Sequence, residues 1–239
     1  MNRWIGAALA ACVVTVVGTA CVENKGIIFV QGVMAPPVPQ QGQACTYTPQ
    51  SSSTTLFNGV LDVGFADSYT PVFLVGNQMV QRGSATQVRV ETSRVQLQGG
   101  IVRLTDTAGA QIANFTALGS GYADASTGTT PGYGAIALTV IDPTTVEKVL
   151  RPAVSNGSSK RVIAYVKVFG QTLGGLRVEA GEYQYPVDVC AGCLVTIPAD
   201  APTCTSSGTS AQIISPCVIG QDQAIDCRLC SAYSSLCRP

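Results

Sequence analysis

The chain has 239 residues, with 14 basic and 14 acidic side chains, 10 cysteines and no histidine. Charged residues make up only 12% and apolar ones 46%, which excludes a disordered polyelectrolyte. The balanced charge leaves no basic excess to neutralise phosphates and argues against a nucleic-acid partner. Without histidine there is no imidazole base, no Ser–His or Cys–His nucleophile pair and no imidazole metal ligand.

Met1-Asn2-Arg3 gives a short positive end, and Trp4 to Ala20 is uncharged and almost wholly apolar or small. That stretch falls short of the roughly 20 residues a spanning helix needs and ends in small residues. Residues 1–20 therefore read as an export signal, with an uncleaved anchor helix as the lesser reading. Gly18-Thr19-Ala20-Cys21 resembles the lipobox of bacterial lipoproteins, although that family prefers Leu, Val or Ile where Gly18 stands. The resemblance implies acyl chains on the Cys21 thiol, and so a lasting membrane tether. Leu9-Ala10-Ala11-Cys12 matches letter by letter but has too little apolar chain before it, so Cys12 is the alternative lipidation site. Val22 after Cys21 resembles the family's outer-membrane sorting signal. Free secretion to the periplasm or beyond is the competing address, because Gly18 and Ala20 also satisfy a small-x-small rule.

Residues 21–55 hold one strand candidate, Ile27 to Met34, stopped by Pro36, Pro37 and Pro39, and then a Pro/Ser-rich linker. Residues 56–189 read as a β domain. Strands are expected over Leu61–Phe65 and Thr70–Val75. Val88, Val90, Val95, Leu97, Ile101, Val102 and Leu104 alternate with polar residues in a third β region. Gly99-Gly100 predicts a bulge or turn there, and Asp106-Thr107-Ala108-Gly109 a hairpin turn leading to Ile112 and Phe115. After a Gly/Ser/Thr-rich loop, Ala135–Ile141 is the next strand. Asp142-Pro143 opens one short helix, with Val146, Val149 and Leu150 as its apolar stripe. Arg161–Phe169 is the strongest strand, with Val162, Ala164, Val166 and Val168 on one face. Arg177–Tyr185 is the last.

Short strands separated by Gly-rich turns predict an all-β fold: an antiparallel, Ig-like β-sandwich with one short helix. The order of strands, the turn at Asn77 and the helix at Asp142-Pro143 resemble the sandwich of LEA14-type water-stress domains over residues 56–189. Those domains carry Asn-Pro where Asn77-Gln78 stands. The plan of lipobox, β domain and Cys-rich tail also resembles uncharacterised lipoproteins of gliding and predatory soil bacteria. Neither resemblance brings catalytic residues.

The tail, residues 190–239, has few large apolar side chains and seven cysteines, so bridges must replace a core there. With Cys12 and Cys21 set aside, Cys45, Cys190, Cys193, Cys204, Cys217, Cys227, Cys230 and Cys237 remain as disulfide candidates. If all eight pair, Cys45 must reach the C-terminal cluster. Cys190-Ala191-Gly192-Cys193 and Cys227-Arg228-Leu229-Cys230 resemble half-sites for zinc, but two further cysteines interrupt their spacing and export favours bridges. Cys190 and Cys193 also read as a thiol–disulfide oxidoreductase dithiol, although the β-like Leu194–Pro198 stands where a helix would lower a thiol pKa.

Other chemistry is thin. Gly83-Ser84, Gly119-Ser120-Gly121 and Gly157-Ser158 form no nucleophile elbow. Glu179 and Glu182 lie close on one strand but read as solvated. Asp222 and Asp226 lack a calcium-loop pattern. Six tyrosines, Tyr69, Tyr122, Tyr133, Tyr165, Tyr183 and Tyr185, either line a binding face or sit half-buried in strands. The expectation is a non-enzymatic envelope lipoprotein, tethered to the outer membrane through Cys21, with no cofactor, no metal and no catalytic residue.

Overall fold

Period-two alternation governs most of the chain and gathers ten strands into one sheet. The computed structural model describes residues 26–39, 44–84, 89–154, 158–197, 199, 204 and 215–230, without the side chain of Cys230. The expected export segment, Cys12, Cys21 and Cys237 lie outside these residues. The strands of the large sheet are β1 (Ile28–Met34), β2 (Thr55–Leu56), β3 (Gly59–Asp62), β4 (Val72–Asn77), β5 (Val95–Asp106), β6 (Gln111–Ala123), β7 (Gly132–Ala137), β8 (Ser159–Thr172), β9 (Arg177–Glu179) and β10 (Tyr183–Cys190). β11 (Val195–Thr196) and β12 (Ile225–Asp226) form a small parallel pair, followed by a single turn of helix at Cys227–Cys230.

The sheet order is β2-β1-β4-β7-β6-β5-β8-β10-β3, with β9 attached to β8. All its pairings are antiparallel except β3 with β10, which run parallel. β2 and β3 follow each other in the chain yet stand at opposite ends of this order, so the sheet curls round into a nearly closed barrel. The fold is mostly β with a short helix and disulfides, but it is one curled mixed sheet where two facing antiparallel sheets were expected. The physical reason lies in three long strands. β5, β6 and β8 have 12, 13 and 14 residues, and strands of that length coil continuously instead of dividing into two short-stranded layers.

The inward face of β8 is as the alternation requires: Val162, Ala164, Val166 and Val168 are fully buried. They pack with Val102 and Leu104 of β5 and with Phe73, Ile136 and Leu138. The Gly99-Gly100 break is a bulge, where the pairing of β5 to both neighbours shifts between Leu97 and Gly99. Gly119 and Gly121 serve close approach. A Cβ on Gly121 would lie 2.1 Å from the Ala135 carbonyl oxygen, so β7 crosses β6 only because these side chains are missing. The Asp106 turn closes as expected, its Oδ1 accepting from the Ala108 and Ala110 N–H groups.

Several expectations shift: the strand expected over Leu61–Phe65 is β3 (Gly59–Asp62), and the one expected over Ala135–Ile141 is β7 (Gly132–Ala137). The third β region begins at Val95, Val90 standing exposed outside it and Val88 lying beyond the described residues. The Asp142-Pro143 helix forms, with Asp142 Oδ1 accepting from the Thr145 N–H at 3.1 Å. Its α-helical turn α1 (Pro143–Thr145) widens into a π turn over Val146–Leu150, which buries Val146 and Leu150 and leaves Val149 exposed. The last strand is two. Glu179 pairs with Phe169 and Tyr183 with Val166, so one extra residue bulges at Ala180–Glu182 and β10 then runs on through Pro186 to Cys190.

Candidate functional site

The chemistry-bearing side chains collect where the C-terminal segment returns to the β3 end of the sheet. Residues Gly220 to Asp222 lie along the outer edge of β3: the Asp62 N–H donates to the Gly220 carbonyl at 2.9 Å and the Asp222 N–H to the Val60 carbonyl at 3.1 Å. Gln221 fastens the same segment to the chain before β4, accepting from the Thr70 N–H and donating to the Ser68 carbonyl, each at 3.0 Å. A bridge from Cys45 to Cys217, Cα atoms 5.7 Å apart, pins the segment again across 172 residues of sequence.

Two carboxylates, Asp62 fully buried and Asp222 half-buried, organise this junction. Asp222 stands in the left-handed region at φ 57°, where Asp is tolerated better than most residues. Its Oδ1 accepts from the Val60 N–H at 2.8 Å, and the Tyr69 hydroxyl lies 2.8–2.9 Å from both oxygens. Burial pushes the Asp222 carboxyl pKa upward, against the Val60 N–H and the Tyr69 hydroxyl, which pull it down. Burial and the neighbouring Asp222 charge hold the Tyr69 phenol far above its ordinary value. Tyr185 stacks beside Tyr69, hydroxyl to hydroxyl at 3.3 Å, and burial raises its phenol too. Gly59 makes room for this pair. A Cβ there would lie 2.1 Å from the Tyr69 hydroxyl oxygen and 3.0 Å from that of Tyr185.

Asp62, the second carboxylate, is fully buried at the end of β3. Its Oδ1 accepts from Gly64 and Gly192 N–H groups at 3.0 and 2.8 Å, and its Oδ2 from Leu194 N–H at 3.0 Å. Gly192 lies inside the Cys190–Cys193 loop and Leu194 just past it, so Asp62 holds that loop from beneath. Cys190 and Cys193 are bonded to each other, Cys190 buried and Cys193 exposed. The loop forms one wall of an open cleft of about 480 Å³, whose other wall carries Ser159, Arg161 and Asp188. Arg161 meets Asp188 through two bonds of 2.7 Å, which hold the Asp188 carboxyl below its usual range. A second open cleft, about 490 Å³, lies between Met34–Val38 and Thr46–Thr54, with Tyr47 and Pro37 in its lining.

The third bridge joins Cys204 to Cys227. The two C-x-x-C pairs therefore do not converge on one ion: Cys190 bonds Cys193, and Cys227 bonds Cys204. Asp62 places a carboxylate oxygen within 4.8 Å of the Cys190 and Cys193 sulfurs, but that carboxylate already serves three backbone donors. Of the six tyrosines, Tyr69, Tyr185 and Tyr183 stack in succession and the other three lie apart from them. Tyr69 and Tyr185 are buried, Tyr122 lies under Arg94, Tyr165 lies under Arg103, and Tyr133 and Tyr183 meet Phe29 and Phe73 edge-on. Glu182 pairs with Arg103 at 3.0 Å, Glu179 is exposed, and Asp226 pairs with Arg228. Asn77 is buried, its amide donating to the Ser93 and Asp124 carbonyls.

Sequence reasoning missed both carboxylates as junction residues. Asp62 did leave a trace, a lone acid in the apolar run Val60-Leu61-Asp62-Val63. No family model, no curated protein and no solved structure matches the chain. The lipoprotein and water-stress-domain resemblances thus rest on the residues quoted for them.

Three disulfides belong to an oxidising compartment outside the cytoplasm. Among the described residues no helix is long and apolar enough to cross a membrane.

Proposed function

We propose that the chain is a non-enzymatic envelope lipoprotein, a β-barrel-like domain tethered to the outer membrane through Cys21, with a structural or binding role. The observation that carries this reading is the junction itself. The conspicuous ionisable groups of the molecule, Asp62 and Asp222, spend their bonding capacity on backbone N–H groups and a tyrosine that lock the C-terminal segment to the sheet. Groups so engaged hold structure together and are not poised for proton transfer to a substrate. The tether rests on the lipobox resemblance at Gly18–Cys21. Mass spectrometry of the intact, natively purified chain tests it, with a diacylated or triacylated Cys21 at the N-terminus as the expected result. Acyl labelling that persists in a Cys21→Ser variant overturns it.

One observation favours a second reading, a thiol–disulfide oxidoreductase: Cys193 stands exposed at an open cleft beside Arg161. Asp62 weighs against it. A carboxylate within 4.8 Å of both sulfurs disfavours a thiolate there, and a disfavoured thiolate lowers the reduction potential of the bridge. A potential below about −300 mV supports the structural reading, whereas turnover of insulin disulfides would establish the other.

A further inference from the structure

The barrel has two chemically different ends. One register row, Val30–Val75–Gly134–Ala123–Val95–Thr172, runs round the end where β1 begins. The segments at and just beyond this row are tied together. The Gln78 N–H donates to the Ile27 carbonyl, the Gln81 N–H to the Ser126 carbonyl and the Leu173 N–H to the Arg94 carbonyl, each at 2.9 Å. These bonds join the segments into one rim.

The rim exposes apolar side chains beside unpaired cations. Val80, Val90, Leu173 and Leu176 are 58%, 78%, 52% and 40% exposed. Arg82, Arg89 and Arg177 are exposed as well and make no ion pair among the described residues. The carboxylates of the rim are engaged: Asp124 meets Arg94 at 3.0 Å, and Glu91 accepts from the N–H groups of Arg82, Gly83 and Ser93. Glu179 lies two residues further up β9 from Arg177. At the opposite end Arg151, Arg161 and Arg228 are paired with Glu147, Asp188 and Asp226. Asp67, Asp106 and Asp142 outnumber Lys148 and Lys160 there.

We infer that this rim is seated on the anionic phospholipid surface in which Cys21 is anchored, with its arginines at the phosphates and its four apolar side chains dipping below them. The inference rests on the lipid tether proposed above, and the length of that tether selects the rim. Ile28 follows Cys21 by seven residues, at most about 25 Å of extended chain. β5 runs about 36 Å from Val95, in the rim row, to Asp106, so the tether is too short to stand the barrel on its Asp106 end. Charge agrees, because lipid phosphates attract the unpaired arginines and repel the carboxylate-rich end. Acyl chains alone would leave the orientation of the barrel open. Seated on its rim, the barrel turns the Cys190–Cys193 loop and segment 215–222 away from the lipid.

Tryptophan fluorescence tests this. Trp4, the one tryptophan of the chain, leaves with the expected export segment, so Leu173→Trp and Ala108→Trp each give the processed chain a single reporter. Both positions are exposed, one at the rim and one in the Asp106 turn. The full chain, purified from the envelope, is reconstituted in vesicles of brominated phosphatidylcholine and phosphatidylglycerol. The expected result is loss of Leu173→Trp emission with Ala108→Trp emission unchanged. Arg82→Gln/Arg89→Gln/Arg177→Gln in the Leu173→Trp chain restores the emission while circular dichroism stays native, and Lys148→Gln, exposed at the opposite end, does not. Brominated phosphatidylcholine alone restores it without touching an arginine. Equal quenching at both reporters overturns the inference, and so does quenching at neither, as when a second copy covers the rim. Quenching that survives both the triple variant and the neutral lipid overturns it too. Intact mass of the same sample separates the two claims: an acylated chain without selective quenching removes this inference alone, and an unacylated chain removes the tether and the inference with it.

Discussion

Replacing Gly59 by alanine tests the junction most directly. Gly59 is not in the left-handed backbone region, so alanine suits its main chain and even removes some unfolded-state entropy, a gain of about 0.4–1 kcal/mol. The obstacle is spatial: the new Cβ would stand 2.1 Å from the Tyr69 hydroxyl oxygen. Tyr69 is fully buried and has nowhere to swing, so its hydroxyl must withdraw from Asp222 or β3 must shift. Losing a hydrogen bond to a charged group costs about 1.5–3 kcal/mol, and overpacking adds about 1–3 kcal/mol. The net expectation is a loss of about 1.5–5.5 kcal/mol, read by urea denaturation with the bridges intact. Tyr69→Phe supplies the discriminating background. It removes the hydroxyl, and so the bond and the closest contact, leaving the ring Cζ at 2.6 Å from the new Cβ, so Gly59→Ala should cost at least about 1 kcal/mol less in Tyr69→Phe than in wild type. Strict additivity of the two substitutions, or a neutral Gly59→Ala, would refute the account of this junction.

The other expectations follow from the same contacts. Asp222→Asn changes how stability depends on pH. Because burial raises the folded-state carboxyl pKa, the protonated group's contribution is fully present below the unfolded-state value and is lost as pH rises through the folded one. Wild type should therefore be most stable relative to Asp222→Asn in acid, with the advantage shrinking as pH rises; an advantage that grows with pH contradicts this. Cys45→Ser/Cys217→Ser opens a loop of 172 residues, worth about 5 kcal/mol in the entropic model, and should lower the unfolding free energy by about 2–5 kcal/mol, as is typical of such bridges, and the denaturation midpoint with it. An unchanged midpoint would mean that Gln221 and Asp222 hold the segment without the bridge. Asp62→Ala leaves the N–H groups of Gly64, Gly192 and Leu194 without their acceptor and should free the Cys190–Cys193 loop, seen as faster amide exchange at 192–194 and faster reduction by dithiothreitol.

The strands were legible where burial on one face imposed a two-residue rhythm. Val162, Ala164, Val166 and Val168 alternate because a single buried face selects them, and the Gly99-Gly100 bulge and the Asp106 turn have local chemistry that any reading can find. How the strands close was not legible. Alternation tells a strand which face is wet, but not whether its neighbours curl into one barrel or split into two layers. The parallel pairing of β3 with β10 joins residues about 130 apart, and nothing local announces it. The bulge at Ala180–Glu182 escaped for a different reason: it leaves Val178 and Tyr185 buried on either side, so the run still looks like one amphipathic strand.

The same limit explains the carboxylates. An acid in a β run reads as a wet-face residue unless its partner is known, and the partners here are main-chain N–H groups that carry no sequence signature. Asp62 binds N–H groups of residues 64, 192 and 194, and Asp222 that of residue 60, so each carboxylate spans most of the domain. A sheet that closes late, around a parallel pair of distant strands, needs such fasteners because its final edge, β3, is only four residues long. Four residues give few ladder bonds, and the segment Gly220–Asp222 adds a half-strand's worth on the other side. The carboxylates, the glutamine at 221 and the Cys45–Cys217 bridge all act at this one edge. The cysteine-rich tail is thus the closing element of the β domain: its segment 215–222 covers the outer edge of β3, the terminal strand of the sheet order.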